Sequence, residues 1–321
     1  MIQGGILLLK KARRIVMGTR RQADDYRVLP TDFQGQRASD LIREKLLAAD
    51  PCMIARIGHT ELKSLLRYWN KRNKSLVRNI YDYVKGRQEP FWFDEEIKLK
   101  MRYCSGFFPC TDEPLIQLAE RFLRDLTQTD VLGSWLKGEA ELAHYLVQAK
   151  TVRLEDLEPY FHRDPWTAAL AGRTVLVIHP FEASIRKQYE KRGVLFGDPR
   201  ILPAFTLKTL KAVQSVGEDT MGFATWFDAL DWMCARVKEI DFDVALIGAG
   251  AYGLPLAAYV KSLGKKAVHL GGATQIMFGI RGKRWDQWAN FQKLYNEHWA
   301  SPLVEEKPFA NRTFEGGQAY W

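Results

Sequence analysis

The chain has 321 residues, 46% apolar and 26% charged, with a formal net charge of +9. That is an ordinary globular composition with room for one large domain or two modest ones, and its basic balance attracts phosphate in any form. Four cysteines, Cys52, Cys104, Cys110 and Cys234, with no CxxC spacing, exclude a disulfide scaffold and a structural zinc centre, and suit a reducing compartment.

The N-terminus, residues 1–35, reads as a basic lead-in. Lys10, Lys11, Arg13, Arg14, Arg20 and Arg21 crowd it. The apolar run Ile6, Leu7, Leu8, Leu9 is too short to cross a bilayer, and the charges follow it instead of preceding it as in a signal peptide. Leu7, Leu8, Leu9, Ile15, Val16 and Met17 among these bases resemble an interfacial amphipathic helix, so a peripheral membrane contact is one expectation and a plain surface helix the other. A second basic group, Arg67, Lys71, Arg72, Lys74 and Arg78, reads as solvated helix faces.

Residues 36–321 read as a single α/β domain with a helical insertion around 76–150. Leu41, Ile42, Leu46 and Leu47 give a helix over 36–50 that Pro51 stops. The apolar run 52–58 reads as a buried strand and loop, and 61–69 as a helix. Strands are expected at 129–135, 174–178, 201–205, 244–247 and 267–270, and helices at 138–147, 183–191, 223–240 and 254–263. Strand–helix alternation predicts a Rossmann-like, mostly parallel sheet with helices on both faces, plus the helical N-terminal and inserted region.

Ligands of such sheets bind outside the carboxyl ends of the strands. That rule selects the loops 58–61, 179–184, 248–253 and 271–275. Gly248, Gly250, Tyr252 and Gly253 lie in a G-x-G-x-x-G turn after a strand, where backbone N–H groups at a helix start can meet an anion. The reading as a dinucleotide fingerprint meets two objections: the turn comes late in the chain, and no acid follows the next strand to hold a ribose hydroxyl. The plain alternative is a tight turn without a ligand. His179 at a strand end is a candidate base or a core histidine, and Ser184 a helix cap or a phosphate contact. Gly271, Gly272, Thr274 and Gln275 permit close approach and hydrogen bonding, and Arg281 with Trp285 could meet phosphate or sugar. Arg56, Gly58, His59 and Glu61 form the most chemically loaded loop, with a cation, an imidazole and a carboxylate within six residues; Glu61 could bind a metal, orient a hydroxyl, act as a base, or only complement a helix dipole. Nucleophile-elbow, P-loop and zincin motifs are missing.

Arg56-Ile57-Gly58-x-x-Glu61, together with the late strand–glycine turn–helix, resembles the GT-D-type glycosyltransferases of bacterial surface-polysaccharide and glycoprotein synthesis. The family signature is Arg-Phe-Gly-Asp-Gly-Glu; Ile57 stands here for its Phe and His59 for its Asp. The resemblance implies transfer of a sugar from a nucleotide-sugar donor to a glycan or lipid-linked acceptor at the cytoplasmic membrane face, with nucleic acid not expected as a partner. It implies Glu61 as base or donor-site carboxylate and His59 as metal ligand or phosphate contact. Arg56, Gly58, His179, Ser184 and the glycine loops would lie on the donor side, and Arg281 and Trp285 would serve as acceptor or phosphate contacts. His for Asp favours Mn²⁺ over Mg²⁺, or catalysis without a metal. An NAD(P)-dependent oxidoreductase using the Gly248–Gly253 turn, and a non-catalytic nucleic-acid or membrane binding module, are the alternative readings.

Overall fold

A computed structural model describes residues 3–18 and 28–307. Arg20 and Arg21 of the lead-in lie outside the described residues, as does the C-terminal stretch 308–321. Seven strands form one parallel sheet: Cys52–Ala55 (β1), Val131–Ser134 (β2), Lys150–Arg153 (β3), Thr174–His179 (β4), Thr206–Lys211 (β5), Val244–Ile247 (β6) and Lys266–His269 (β7), in the order β3-β2-β1-β7-β6-β4-β5. Ile54 pairs with Val131 on one side and Val268 on the other, and Ile178 pairs with Ile247. The fold is α/β and Rossmann-like.

The central strands read as unbroken apolar runs because both sheet faces are covered. Alternate residues feed two cores. Met53, Ala55, Leu176, Ile178, Ala245 and Ile247 enter one, and Cys52, Ile54, Val175, Val177, Val244 and Leu246 enter the other.

Helices His59–Asn73 (α3), Glu95–Cys104 (α5), Asp112–Leu126 (α6), Trp226–Glu239 (α9) and Gly253–Ser262 (α10) pack on the first face. Gln36–Leu47 (α2), Glu182–Tyr189 (α7), Arg192–Leu195 (α8), Ala273–Met277 (α11), Lys283–Asp286 (α12) and Ala289–Gln292 (α13) pack on the second. Gln3–Met17 (α1) and Leu76–Val84 (α4) share a small separate cluster with Phe91 and Trp92.

The chain leaves β1 and β6 toward the first face, but leaves β7 and β4 toward the second. Neighbouring loops therefore diverge above the carboxyl ends of β1, β7, β6 and β4, the place where ligands of such sheets bind.

Several elements depart from the sequence expectations. The strand expected at 201–205 lies at Thr206–Lys211. Ile201, Leu202 and Phe205 are buried as a loop, held by the Tyr189 hydroxyl, which accepts from Phe205 N at 2.7 Å. The real β5 has a half-exposed, mixed pattern at a sheet edge, so it carries little periodic signal. Residues Glu139–Tyr145 form a 3₁₀ helix, not an α-helix. Strand β3 was not anticipated. It has only two buried residues and is completed by the lead-in: Asp32 N donates to Thr151 O at 2.9 Å, and Thr151 N to Asp32 Oδ2 at 2.8 Å.

Candidate functional site

Gly58 is the N-cap of α3, and Glu61 sits in the first turn, where a carboxylate complements the positive end of the helix. The Glu61 carboxyl curls back over Gly58. A Cβ built on Gly58 would overlap Glu61 Oε2 and come within 2.6 Å of its Cδ. Gly58 has φ −73° and ψ 147°, which any residue adopts. The backbone does not call for glycine here; the missing side chain leaves its volume to the Glu61 carboxylate. The glycine and the acid three residues on are thus one device, which gives the G-x-x-E spacing a physical cause.

Arg56 leaves the end of β1 and lies against the end of β7. A Cβ on Gly271, whose φ is +62°, would come within 3.1 Å of Arg56 Nη1. The guanidinium also stands 5.0 Å from the Trp135 ring centre. Trp135 bridges two strand ends, because its indole N–H donates to Ile57 O at 3.1 Å. His59 faces the same ring at 6.4 Å. Arg56, His59, Gly271 and Trp135 therefore meet above β2, β1 and β7, with Glu61 in the same turn as His59.

The glycine turn after β6 is filled largely from within. A Cβ at Gly248 would strike the His179 ring, and would come within 2.8 Å of both Gly271 O and Thr274 Oγ1. A Cβ at Gly253 would strike the ring of His269. Close packing of the protein itself explains these two glycines. Gly250 differs: it has φ +55° and nothing within 4 Å of its Cβ position, so the middle of the turn opens outward. His179 Nδ1 accepts from Phe181 N at 3.0 Å, and burial pushes its pKa down to about 3. His269 is likewise brought to about 3, by burial first and then by the Arg56 charge. Both imidazoles are neutral near pH 7.

The other candidates are placed as follows. Tyr252 is turned into the core, its ring stacked on Trp226 at 4.6 Å and its hydroxyl 3.0 Å from Ser215 Oγ. The Ser184 hydroxyl is bound to the Glu306 carboxylate and accepts from Leu303 N at 2.9 Å, which ties α7 to the C-terminal segment. Gly272 caps α11, Thr274 is fully buried beside Gly248, and the Gln275 amide donates to Arg281 O at 3.1 Å. Arg281 stands over the Tyr295 ring, and Trp285 is buried near Phe291. Ser184, Arg281 and Trp285 thus join the packing of α7 and α12 with the C-terminal segment.

Four residues at or beyond the strand ends escaped the sequence reading: Trp135, Glu139, Glu158 and His269. Trp135 gave no signal beyond being one of ten tryptophans. Glu139 is fully buried; its Oε2 accepts from Ser134 Oγ and, at 3.2 Å, from Trp135 N, so it holds the Trp135 loop. Burial raises its pKa to about 7 against those hydrogen bonds. Glu158 is raised to about 8, by burial first. Carboxylates whose pKa values approach neutrality are suited to proton transfer. His269 occupies the place after the last strand where a ribose-binding acid would stand.

A divalent ion would have few protein ligands. His59 and Glu61 are two apart in one helical turn, so their side chains diverge by roughly 200°. Among the described residues no three His, Cys, Asp or Glu side chains gather as a metal set. An ion at Glu61 would need its remaining ligands from diphosphate oxygens and water.

No family profile matches the chain, and no curated protein is significantly similar to it. Among solved structures, one described as the selenomethionine-substituted structure of domain of unknown function 1792 aligns at 12% identity, covering 84% of this chain and 82% of its own, with a TM-score of 0.34. So low a score leaves the site to be read from its own geometry.

Proposed function

We propose that the protein is a glycosyltransferase that moves a sugar from a nucleotide-sugar donor to a hydroxyl of a glycan or lipid-linked acceptor. The observation that carries this reading is the Glu61 carboxylate seated over Gly58, in one loop with the Arg56 guanidinium, at the diverging carboxyl ends of β1 and β7. A cation and a carboxylate in one loop at the strand ends are what transfer from a diphosphate requires. The resemblance of Arg56, Gly58 and Glu61 to the GT-D signature supports the same reading.

In the reaction the bond between the anomeric carbon and the diphosphate oxygen breaks, and the nucleoside diphosphate leaves with the electron pair. The acceptor oxygen bonds to the anomeric carbon and its proton passes to Glu61. Arg56 offsets the charge growing on the leaving group. Trp135, fixed by Ile57 and the Glu139 carboxylate, holds Arg56 and offers a face to a sugar or base. His59, whose ring lies 6.4 Å from that of Trp135, would be a further contact for a phosphate. If Mn²⁺ or Mg²⁺ is used, Glu61 would be its protein ligand, and the ion would supply neutralisation of the diphosphate charge.

The packing of Gly248 and Gly253 against the protein's own histidines weakens the oxidoreductase alternative, since those glycines need no dinucleotide to explain them. Thermal shift separates the two. A ligand at a hundred times its Kd adds about 2.7 kcal/mol, a rise of several degrees for a chain of this size. Nucleoside diphosphates and their sugars should give that rise, and Arg56→Ala should abolish it. A rise with NAD(P)H alone would overturn the proposal.

A further inference from the structure

Helices α1 and α4 carry the part of the chain that neither core nor strand ends use. The segment Gln3–Gly18 has four basic residues and no acid; Lys71–Arg87 has six and one acid, Asp82. Their excesses of four and five equal the whole formal net charge of +9. Asp82 is buried and paired with Arg78 at 2.6 Å, so it neutralises that one base and the other five bases of the segment stay uncompensated by it. In the sequence the net basicity thus sits in these two segments.

The inner face of α1 is fixed. Ile6 and Leu9 pack on Tyr83, Phe91 and Trp92, and Arg13 Nη1 donates to Tyr83 O at 2.7 Å and to Gln88 O at 3.0 Å. Met17 fills the space beside Gly86. The outer face of α1 is therefore presented in a set orientation. It carries Leu7, Leu8 and Ile15, exposed to 70, 69 and 73%, at the i, i+1, i+8 positions of one side, with Lys11 and Arg14 among them. On α4, Val77 is exposed to 78%, and an apolar groove of about 340 Å³ runs between Val77, Ile80, Tyr81, Val84 and Lys85. Single exposed apolar residues are ordinary, but a group of them on two packed helices inside a field of bases is not.

We infer that this α1–α4 face docks on an anionic lipid bilayer. Its apolar side chains enter the acyl boundary while Lys11, Arg14, Lys85 and their neighbours meet lipid phosphates, as a basic interfacial helix does. No helix among the described residues is long and apolar enough to cross a membrane, so the contact is peripheral. A nucleic acid would use the same charges, but it would gain nothing from Leu8 and Ile15. This inference stands independently of glycosyl transfer.

The test is co-sedimentation of the full chain with vesicles of phosphatidylcholine alone or mixed with phosphatidylglycerol. Binding is expected only to the mixed vesicles, and is expected to weaken with salt. Each base at an anionic surface contributes about five-fold to partitioning, so Lys11→Gln with Arg14→Gln should lower it about thirty-fold. Leu8→Ser with Ile15→Ser leaves the charge unchanged and should lower it at least ten-fold. Val77→Ser, on the other helix, gives an independent reading if the α1 variant unfolds by circular dichroism. Failure to sediment with mixed vesicles, equal binding by the serine variants, or capture of duplex DNA in preference to vesicles would overturn the inference.

Discussion

Replacing Gly58 by alanine separates the geometry of Glu61 from the stability of the fold. The backbone at position 58 is extended, with φ −73° and ψ 147°, so alanine fits it without strain, and the smaller freedom of the unfolded chain adds about 0.4–1 kcal/mol of stability. Against this, the new methyl overlaps the Glu61 carboxyl. That group ends a flexible side chain and can swing aside for about 0.5–1.5 kcal/mol. The two terms nearly cancel, so Gly58→Ala should melt within a few degrees of the parent protein. The carboxylate, however, must move by more than an ångström, and a displacement of that size in a positioned catalytic group costs about 100-fold in rate. Release of nucleoside diphosphate from a panel of nucleotide sugars measures the rate, and circular dichroism the melting. Glu61→Gln should lose a similar or larger factor, and the double variant should be no worse than Glu61→Gln alone, because both changes act through one group. Full turnover by Gly58→Ala, or losses that simply multiply in the double variant, would refute the role given to Glu61.

Gly253→Ala should destabilise by about 1–3 kcal/mol in urea titrations, since its methyl meets the buried His269 ring and not a mobile side-chain end; His269→Ala in the same chain should recover part of that loss. Trp135→Phe removes the hydrogen bond to Ile57 O at 3.1 Å and should raise the KM for donor about five-fold, the worth of about 1 kcal/mol, with little change in kcat. Acid should weaken the fold through the histidines. His179 and His269 are brought down to about 3, so the stability of burying them neutral is whole above their ordinary value of 6.5 and is lost as pH falls below it. Glu139, raised to about 7, acts oppositely, for the folded state holds its proton between about 7 and 4.5 and so gains on acidification. Glu139→Gln should therefore steepen the loss between about pH 7 and 5 by about 2 kcal/mol in urea midpoints, and an unchanged slope would contradict the burial argument. Chelation followed by readdition of Mn²⁺ and Mg²⁺ tests whether an ion enters with the donor; unchanged turnover in chelator would mean that Arg56 suffices for the diphosphate.

The local code of this chain fixed much of the fold and the whole chemical inventory of the β1 loop. Apolar runs such as 174–178 and 244–247 read as strands because both of their faces are buried, and the residue-to-residue alternation between two cores follows from the pleat. The doubly covered sheet and the four strand-end loops were therefore legible, and so was the concentration of Arg56, Gly58, His59 and Glu61. Short edge strands were not. Lys150–Arg153 depends on Asp32 and Phe33 from far upstream, and Thr206–Lys211 on its neighbour β4. Tertiary structure alone decided which distant residues meet that loop, because strand order is set by crossovers and not by local pattern. It brought Gly271 and Trp135 to Arg56, and placed Glu139 beneath Trp135. It turned Tyr252 inward, where Trp226 and Ser215 supply a stacking partner and a hydrogen bond. The glycine turn after β6 makes the point most directly. Its spacing is visible in one dimension, but the reason for Gly248 and Gly253, the His179 and His269 rings packed against them, exists only once β4 and β7 flank β6.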